Sequence, residues 1–321
     1  MGERSKILIF GASGYFGRYL SKASISMGYP TYAYLRPLRP DNHPSKLQLL
    51  KYLQSMGLTI YHGELEEHDK VVSVIKEVDI VISALAVPQH LDQIKIINAI
   101  KEAGNVKRFI PSEYGNEVDR VKGALPAFQK LLDNKQRIRR ATEEAGIPFT
   151  YVSANSFMSY FVSYLLRPHH RNSNHLTLTV YGTGEAKAAL NHEEDVAVYT
   201  VRAATDPRAA NRVIICRPPK NIISQLELVA SWEKLIARPI KRNHLSSHQL
   251  IALSQEVAFS DNVAIAILHN IFVMGAQLSF ELTHHDLEAS QLYPDYNYTS
   301  IHDFLHRCLL HPPIPTLATF A

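Results

Sequence analysis

Cysteine is nearly absent from this 321-residue chain, which has only Cys216 and Cys308, far apart and without metal-ligand spacing. That excludes a disulfide framework and a thiolate metal centre, and it suits a reducing compartment in which both act as plain buried thiols. Long apolar runs are missing as well: nowhere do about eighteen uncharged apolar residues follow one another. The opening Met-Gly-Glu-Arg-Ser-Lys leads into a strand without a hydrophobic leader. The expectation is a cytoplasmic protein with no membrane partner. Gly2 begins a myristoylation pattern, but Lys6 stands where that pattern needs Ser or Thr. Charge of one sign is not in excess either. The net charge is +4, and the basic residues are scattered apart from Arg137, Arg139 and Arg140 on a helix that also carries acids, so no nucleic-acid partner is indicated. Sixteen histidines contain no zinc motif; His302 and His306 lie one helical turn apart without an adjacent glutamate, and no metal is expected. Repeats and low-complexity tracts are absent.

What is present is concentrated at the start. Lys6 to Phe10 is an apolar strand running into Gly11, Gly14 and Gly17, and after them Phe16, Leu20 and Ala23 recur at helical spacing. In a dinucleotide fingerprint the first glycine permits a tight strand-to-helix turn, the second lets backbone N–H groups approach a pyrophosphate, and the third lets the helix pack on the sheet. Glycines also mark ordinary turns, so the flanking strand and helix carry the reading. A second strand, 31–35, ends at Arg36. An acidic residue there would accept the 2′-OH of NAD, whereas a cation accepts the 2′-phosphate of NADP. Arg36, with Lys46 as a second cation, therefore points to NADPH; each also fits a solvated surface position.

Strand and helix patterns alternate through the first half, with strands at 6–10, 31–35, 58–61, 78–83, 107–110 and 148–153. Helices fall between them at 15–27, 45–56, 67–76, 91–103 and 126–145. Such alternation requires a parallel sheet covered on both faces, an α/β doubly wound Rossmann-type fold. Ligands in that fold collect at the carboxyl ends of the strands. Candidate cofactor contacts are therefore Ser13, Tyr15 and Phe16 with the glycines, then Ala84, Ser112 and Asn155. Beyond 155 the rhythm loosens, with strands near 176–181 and 212–216 and helices near 192–204, 225–236 and 247–255. The division expected is a nucleotide-binding domain over 1–155 and a smaller substrate lobe over 156–321, the chain being free to cross between them.

In the helix 126–145, which Pro126 is suited to open, Phe128, Leu131, Leu132 and Ile138 share one face with Lys135. A lysine on an apolar stripe can snorkel its ammonium to the edge. Alternatively, desolvation disfavours the charged form and yields an amine able to take a proton near neutral pH. The Tyr-x-x-x-Lys pair of many Rossmann reductases occurs nowhere in the chain. Lys135 is thus the best-placed proton acceptor.

Four stretches carry a resemblance over nearly the whole chain: Gly11-Ala-Ser-Gly-Tyr-Phe-Gly, Lys107-Arg-Phe-Ile-Pro-Ser-Glu-Tyr-Gly, Arg139-Arg-Ala with Ile147-Pro-Phe-Thr-Tyr-Val-Ser-Ala-Asn, and Val180-Tyr-Gly-Thr-Gly-Glu-Ala-Lys. The sequence resembles the plant family of isoflavone, pinoresinol-lariciresinol and phenylcoumaran benzylic ether reductases and the phenylpropene synthases. Ser83-Ala-Leu-Ala-Val-Pro-Gln, Ala124-Leu-Pro-Ala-Phe, Ala154-Asn-Ser-Phe-Met-Ser-Tyr-Phe and Arg217-Pro-Pro-Lys-Asn-Ile-Ile-Ser-Gln look most like the eugenol and isoeugenol synthases. The resemblance implies an NADPH-dependent enzyme whose catalytic lysine falls at Lys135, whose cofactor glycines fall at Gly11, Gly14 and Gly17, and whose phosphate-reading cations fall at Arg36 and Lys46. A pocket tyrosine falls at Tyr160. Two stretches depart from the family pattern: the common Gly-Gly-Thr-Gly-Tyr-Ile-Gly reads Gly11-Ala-Ser-Gly-Tyr-Phe-Gly, and the usual Asn-Cys-Phe reads Asn155-Ser-Phe.

The implied reaction is reduction of a phenylpropenyl ester such as coniferyl acetate through a quinone methide. Val87, Pro88, Phe157, Met158 and Tyr160 are expected to decide between an allyl and a propenyl product, though each also fits ordinary core packing. A benzylic ether, lignan or isoflavone reductase using the same lysine is the alternative enzyme, and an NADP(H)-sensing regulator without turnover the alternative of another class. A small-molecule phenylpropanoid is the expected partner, and a homodimer is left open.

Overall fold

β1 (Ile7–Phe10) reads Ile-Leu-Ile-Phe and is buried at every residue, as a strand covered on both faces must be. It occupies the centre of a five-stranded sheet in the order β3-β2-β1-β4-β5. The computed structural model describes residues 4–38, 44–173 and 175–314. The other strands of this sheet are β2 (Thr31–Leu35), β3 (Thr59–His62), β4 (Ile80–Ser83) and β5 (Arg108–Ile110). All pair in parallel: Ile7 lies opposite both Thr31 and Ile80, Tyr32 opposite Thr59, and Ile80 opposite Arg108. A parallel bridge between Phe109 and Phe149 carries the sheet toward β6 (Thr150–Ser153).

The connecting helices are α1 (Gly17–Ser26), α2 (Pro44–Ser55), α3 (His68–Lys76), α4 (Gln93–Ala103) and α5 (Pro126–Glu144). Leu8, Phe10, Val81 and Phe109 turn one face of the sheet to Val71, Val72 and Ile75 of α3, to Ile96, Ile97 and Ile100 of α4, and to Ile138 of α5. Right-handed crossovers send α1 and α2 to the opposite face, because the strand order reverses at β1. The fold is the doubly wound α/β architecture read from the sequence, with boundaries displaced by no more than two residues. Its switch point lies between the ends of β1 and β4.

The chain divides into two compact units that interleave in sequence: residues 1–113, 134–152 and 196–214, and residues 114–133, 153–195 and 215–321. By residue extent the second unit is no smaller than the first, and it takes in the first two turns of α5. Arg108 is buried in the first, where Nη1 donates to Thr150 Oγ1 at 2.7 Å and to Ala203 O at 3.2 Å, tying β5 to β6.

Beyond β6 the chain holds the elements read from the sequence near 176–181, 192–204, 212–216, 225–236 and 247–255, together with short strands and helices that periodicity does not show. β7 (Ser156–Phe157) and α6 (Met158–Leu166) are followed by β8 (Thr177–Tyr181), β9 (Lys187–Asn191), α7 (Glu193–Thr205), β10 (Arg212–Ile215), β11 (Ile222–Ser224), α8 (Gln225–Ile236), β12 (Lys241–Leu245), α9 (Ser247–Glu256) and α10 (Phe259–Phe272). After β13 (Leu287–Glu288) and the single-turn α11 (Ala289–Leu292) comes α12 (Ile301–Leu310). Of these, α7 beyond Asp195 and β10 as far as Ile214 belong to the first unit. β9 pairs with β7 and β11, and β8 pairs with β12. Trp232 of α8 and Met158 of α6, both without exposed surface, centre the second unit's core.

Glu193, also without exposed surface, fixes the start of α6. Its carboxylate accepts hydrogen bonds from Ser159 N at 3.1 Å, Ser159 Oγ at 2.7 Å and Tyr160 N at 3.2 Å. Those amides have no partner within the helix. Replacing Glu193 by Ala is expected to cost about 1–3 kcal/mol, read as a lower urea midpoint.

Candidate active site

Three glycines at the end of β1 meet different constraints. Gly11 has φ +79°, and a Cβ there would come 2.6 Å from Ala84 O at the end of β4; a Cβ on Gly17 would come 2.0 Å from Gly11 O. Neither position tolerates a side chain. Gly14 is exposed, its N–H donates to Gly11 O at 2.9 Å, and a Cβ there would come 3.1 Å from Gly11 O. A tight turn, an uncovered loop and a helix start thus coincide at the switch point, and this suits a pyrophosphate.

Around this loop Ser13 and Tyr15 are half-buried, and Phe16 is buried. The Tyr15 ring faces Arg18, whose guanidinium carbon lies 5.2 Å from its centroid. Arg36 is exposed just past β2, and Lys46 is half-buried in the first turn of α2. Ser83 closes β4 with a buried hydroxyl that has no hydrogen-bond partner among the described residues.

Ser112 follows β5 and is committed to the scaffold: its N–H donates to Gln93 Oε1 at 2.7 Å and its hydroxyl to Leu85 O at 2.8 Å. This locks the ends of β4 and β5 together. Gln93 in turn donates to His90 O at 3.1 Å, within a 3-10 turn over Val87–Asp92. Val87 and Pro88 open that turn, half-buried and exposed respectively.

Lys135 projects from α5, and its Nζ donates to the main-chain oxygen of Glu113 at 2.6 Å. Its stem keeps some exposure, while the ammonium itself is enclosed by protein. Burial lowers its pKa from 10.5 to about 8; the Glu113 carboxylate pulls it up, and Arg139 pushes it down. The Glu113 side chain is held by Arg139, whose Nε and Nη2 donate to Oε1 and Oε2, each at 2.6 Å. Both side chains are 1% exposed. His90 is buried with its Nδ1 unpartnered among the described residues. Burial, and then the charge of Lys135, holds its pKa down at about 3, so the ring is neutral.

In the second unit, Asn155 adopts φ +57°, donates its N–H to Gly115 O at 2.9 Å, and spends its side-chain amide on Cys216 O at 2.8 Å. Phe157 and Tyr160 are partly open, and Met158 lies wholly within the core. The Ser156 hydroxyl accepts from Gln277 Nε2 at 2.8 Å, which also reaches Asn116.

The first unit therefore brings together the glycine loop, Ala84, Ser112 and Lys135 on the strand-end side of one sheet. Sequence reasoning did not single out Glu113, Arg139, Gln93 or His90. Arg139 stands four residues after Lys135, one turn along the same face, and that spacing was a usable signal. The arrangement can supply an amine able to cycle between charged and neutral near physiological pH, at the same strand ends of the sheet as a loop suited to a dinucleotide.

A model of the NmrA-like family matches residues 3–305. Over 319 residues the chain is 63% identical to isoeugenol synthase 1 of Petunia hybrida, covering 99% of this chain and 98% of that protein. Over 316 residues it is 51% identical to isoeugenol synthase 1 of Clarkia breweri, covering 98% and 99%. Among solved structures, the binary complex of leucoanthocyanidin reductase with NADPH from Vitis vinifera is similar, with TM-score 0.86 and 32% identity over 95% of this chain and 99% of that one. No helix of the described residues is long and apolar enough to cross a membrane.

The depressed pKa of Lys135 has a thermodynamic consequence. Below about pH 8 the amine is charged in both folded and unfolded chains, and the enclosed charge destabilises the fold in full. Between about 8 and 10.5 the unfolded chain binds the extra proton, so stability rises with pH. Lys135→Met is expected to gain stability relative to the parent below pH 8 and to lose about 3 kcal/mol of that advantage by pH 10.5, measured by urea unfolding at each pH.

Proposed function

This chain belongs to the NmrA-like family, and on that footing we propose that it converts a phenylpropenyl ester of the coniferyl acetate kind into a propenyl phenol of the isoeugenol kind, with Lys135 as general base. It is an NADPH-dependent oxidoreductase, as its relatives are. The carrying observation is the enclosed amine of Lys135, held by Glu113 O beside the glycine-loop side of the sheet. The identity to the two isoeugenol synthases supports the propenyl product.

In this reading the loop Gly11 to Gly17, with Ser13, Tyr15 and Phe16, seats the pyrophosphate, and Arg36 and Lys46 take the 2′-phosphate. Ala84, Ser112 and Asn155 shape the site through the backbone they hold. When bound, NADPH supplies the hydride for the reduction. Lys135, with about one molecule in ten uncharged at pH 7, accepts the proton of the para-phenol, and the phenolate so formed expels the carboxylate through the conjugated side chain. A quinone methide results on the substrate. Lys135, now an ammonium, returns its proton to the phenolate once the side chain is reduced. The balance is one ester and one NADPH consumed, with phenylpropene, carboxylate and NADP+ released. Val87, Pro88, Phe157 and Tyr160 are proposed to set which side-chain carbon is presented, with Met158 acting through core packing.

Incubation with NADPH and coniferyl acetate, followed by gas chromatography, is expected to give isoeugenol. Consumption of a phenylcoumaran lignan in its place would make the chain a benzylic ether reductase, and binding of NADPH without turnover of either would make it a sensor. Lys135→Ala is expected to lower kcat at least about a hundredfold while leaving NADPH affinity intact by fluorescence titration. In the parent, kcat/KM should rise with pH and level off above about 8, because the protonated amine cannot accept a proton.

A further inference from the structure

Glu113 is gripped at both ends by cationic side chains of one helix. Its main-chain oxygen accepts from Lys135 Nζ at 2.6 Å, and its carboxylate accepts both arms of Arg139, one turn further along α5. Arg139 is itself fixed. Its guanidinium carbon lies 4.5 Å from the centroid of the Tyr151 ring, and the Tyr151 hydroxyl donates to Arg139 O at 3.1 Å. A buried ion pair gives little net stability over apolar residues of similar volume, so folding alone does not account for one placed against Lys135.

The chemistry of a carbonyl acceptor adds direction. A carbonyl oxygen only accepts, so it engages an N–H of Lys135 in either protonation state. In the neutral amine the lone pair is then turned away from Glu113, free to take a proton. We infer that Glu113 and Arg139 are a positioning pair for Lys135, fixing the direction of its lone pair and balancing the charge around its nitrogen. The inference rests on Lys135 being the base. The groups that face the amine are Glu113 beyond β5, Arg139 on α5 and His90 from the 3-10 turn. His90 is neutral, and Tyr151 of β6 acts only through Arg139. The carboxylate and the guanidinium bias the amine in opposite senses.

The test is competitive labelling of the full-length protein with trace acetic anhydride in the presence of NADP+, from pH 6 to 11, with Lys135 acetylation read by mass spectrometry. The parent should titrate at about 8. Glu113→Gln should move the midpoint down and Arg139→Gln should move it up, each by about one pH unit. In both, kcat should fall at least about tenfold with KM little changed. If either single variant fails to fold, the double variant, which leaves no unpaired buried charge, should titrate near the parent yet retain the kcat loss. Arg139→Lys should likewise keep the midpoint and lose kcat, since it keeps the charge without the two-armed grip. Midpoints that stay at the parent value in both single variants, or that move in the same direction, would overturn the inference. So would a double variant with parental kcat. Labelling needs no turnover, so failure of the parent on coniferyl acetate would sink the proposed reaction while leaving this result readable.

Discussion

An amine placed where its own charge is unwelcome is the constraint from which the site follows. Burial pulls Lys135 down from 10.5 to about 8, and a neutral carbonyl holds it in place of a carboxylate. A direct carboxylate partner would stabilise the ammonium and leave almost no free amine at neutral pH. The nearest carboxylate, Glu113, is instead occupied by Arg139 on both oxygens. The amine therefore has a fixed neutral neighbour, and the role proposed for it as base requires that its lone pair remain available.

The fold provides this through one parallel sheet. The reversal of strand order at β1 brings the ends of β1 and β4 together, and the contact is close enough that Gly11 accepts no side chain against Ala84. Ser112 and Gln93 then bind β5 to the turn after β4, so Glu113, the next residue, has a defined position under α5. The glycine loop and Lys135 are two consequences of the same strand ends. Packing supplies the rigidity: α5 lays Ile138 into the core that α3 and α4 form on the sheet.

Much of this was legible in the residues. Continuous apolar strands separated by periodic helices identify a parallel sheet, and the enclosed position of Lys135 follows from its place on an apolar stripe. The second unit was harder, for physical reasons. β12 reads Lys-Arg-Asn-His-Leu and has no apolar face, so only its pairing with β8 makes it a strand. α6, Met-Ser-Tyr-Phe-Val-Ser-Tyr-Leu-Leu, spans nine residues of mostly apolar and aromatic side chains, too short a run to tell a helix from a strand by its period, although it buries Met158, Phe161, Val162 and Leu165 and exposes Tyr164. Arg139 was read with Arg137 and Arg140 as part of a basic cluster, but it is 1% exposed, and only the distant Glu113 explains why. A buried ion pair between residues 26 apart leaves no periodic trace.

The decisive measurement is the structure of the protein with NADP+ and a non-reactive coniferyl-type phenol bound, read at one distance. The account requires the phenolic oxygen to lie within hydrogen-bond reach of Lys135 Nζ, directly or through a single water. A phenol seated with its oxygen away from Lys135, and the amine turned to bulk solvent, would contradict it.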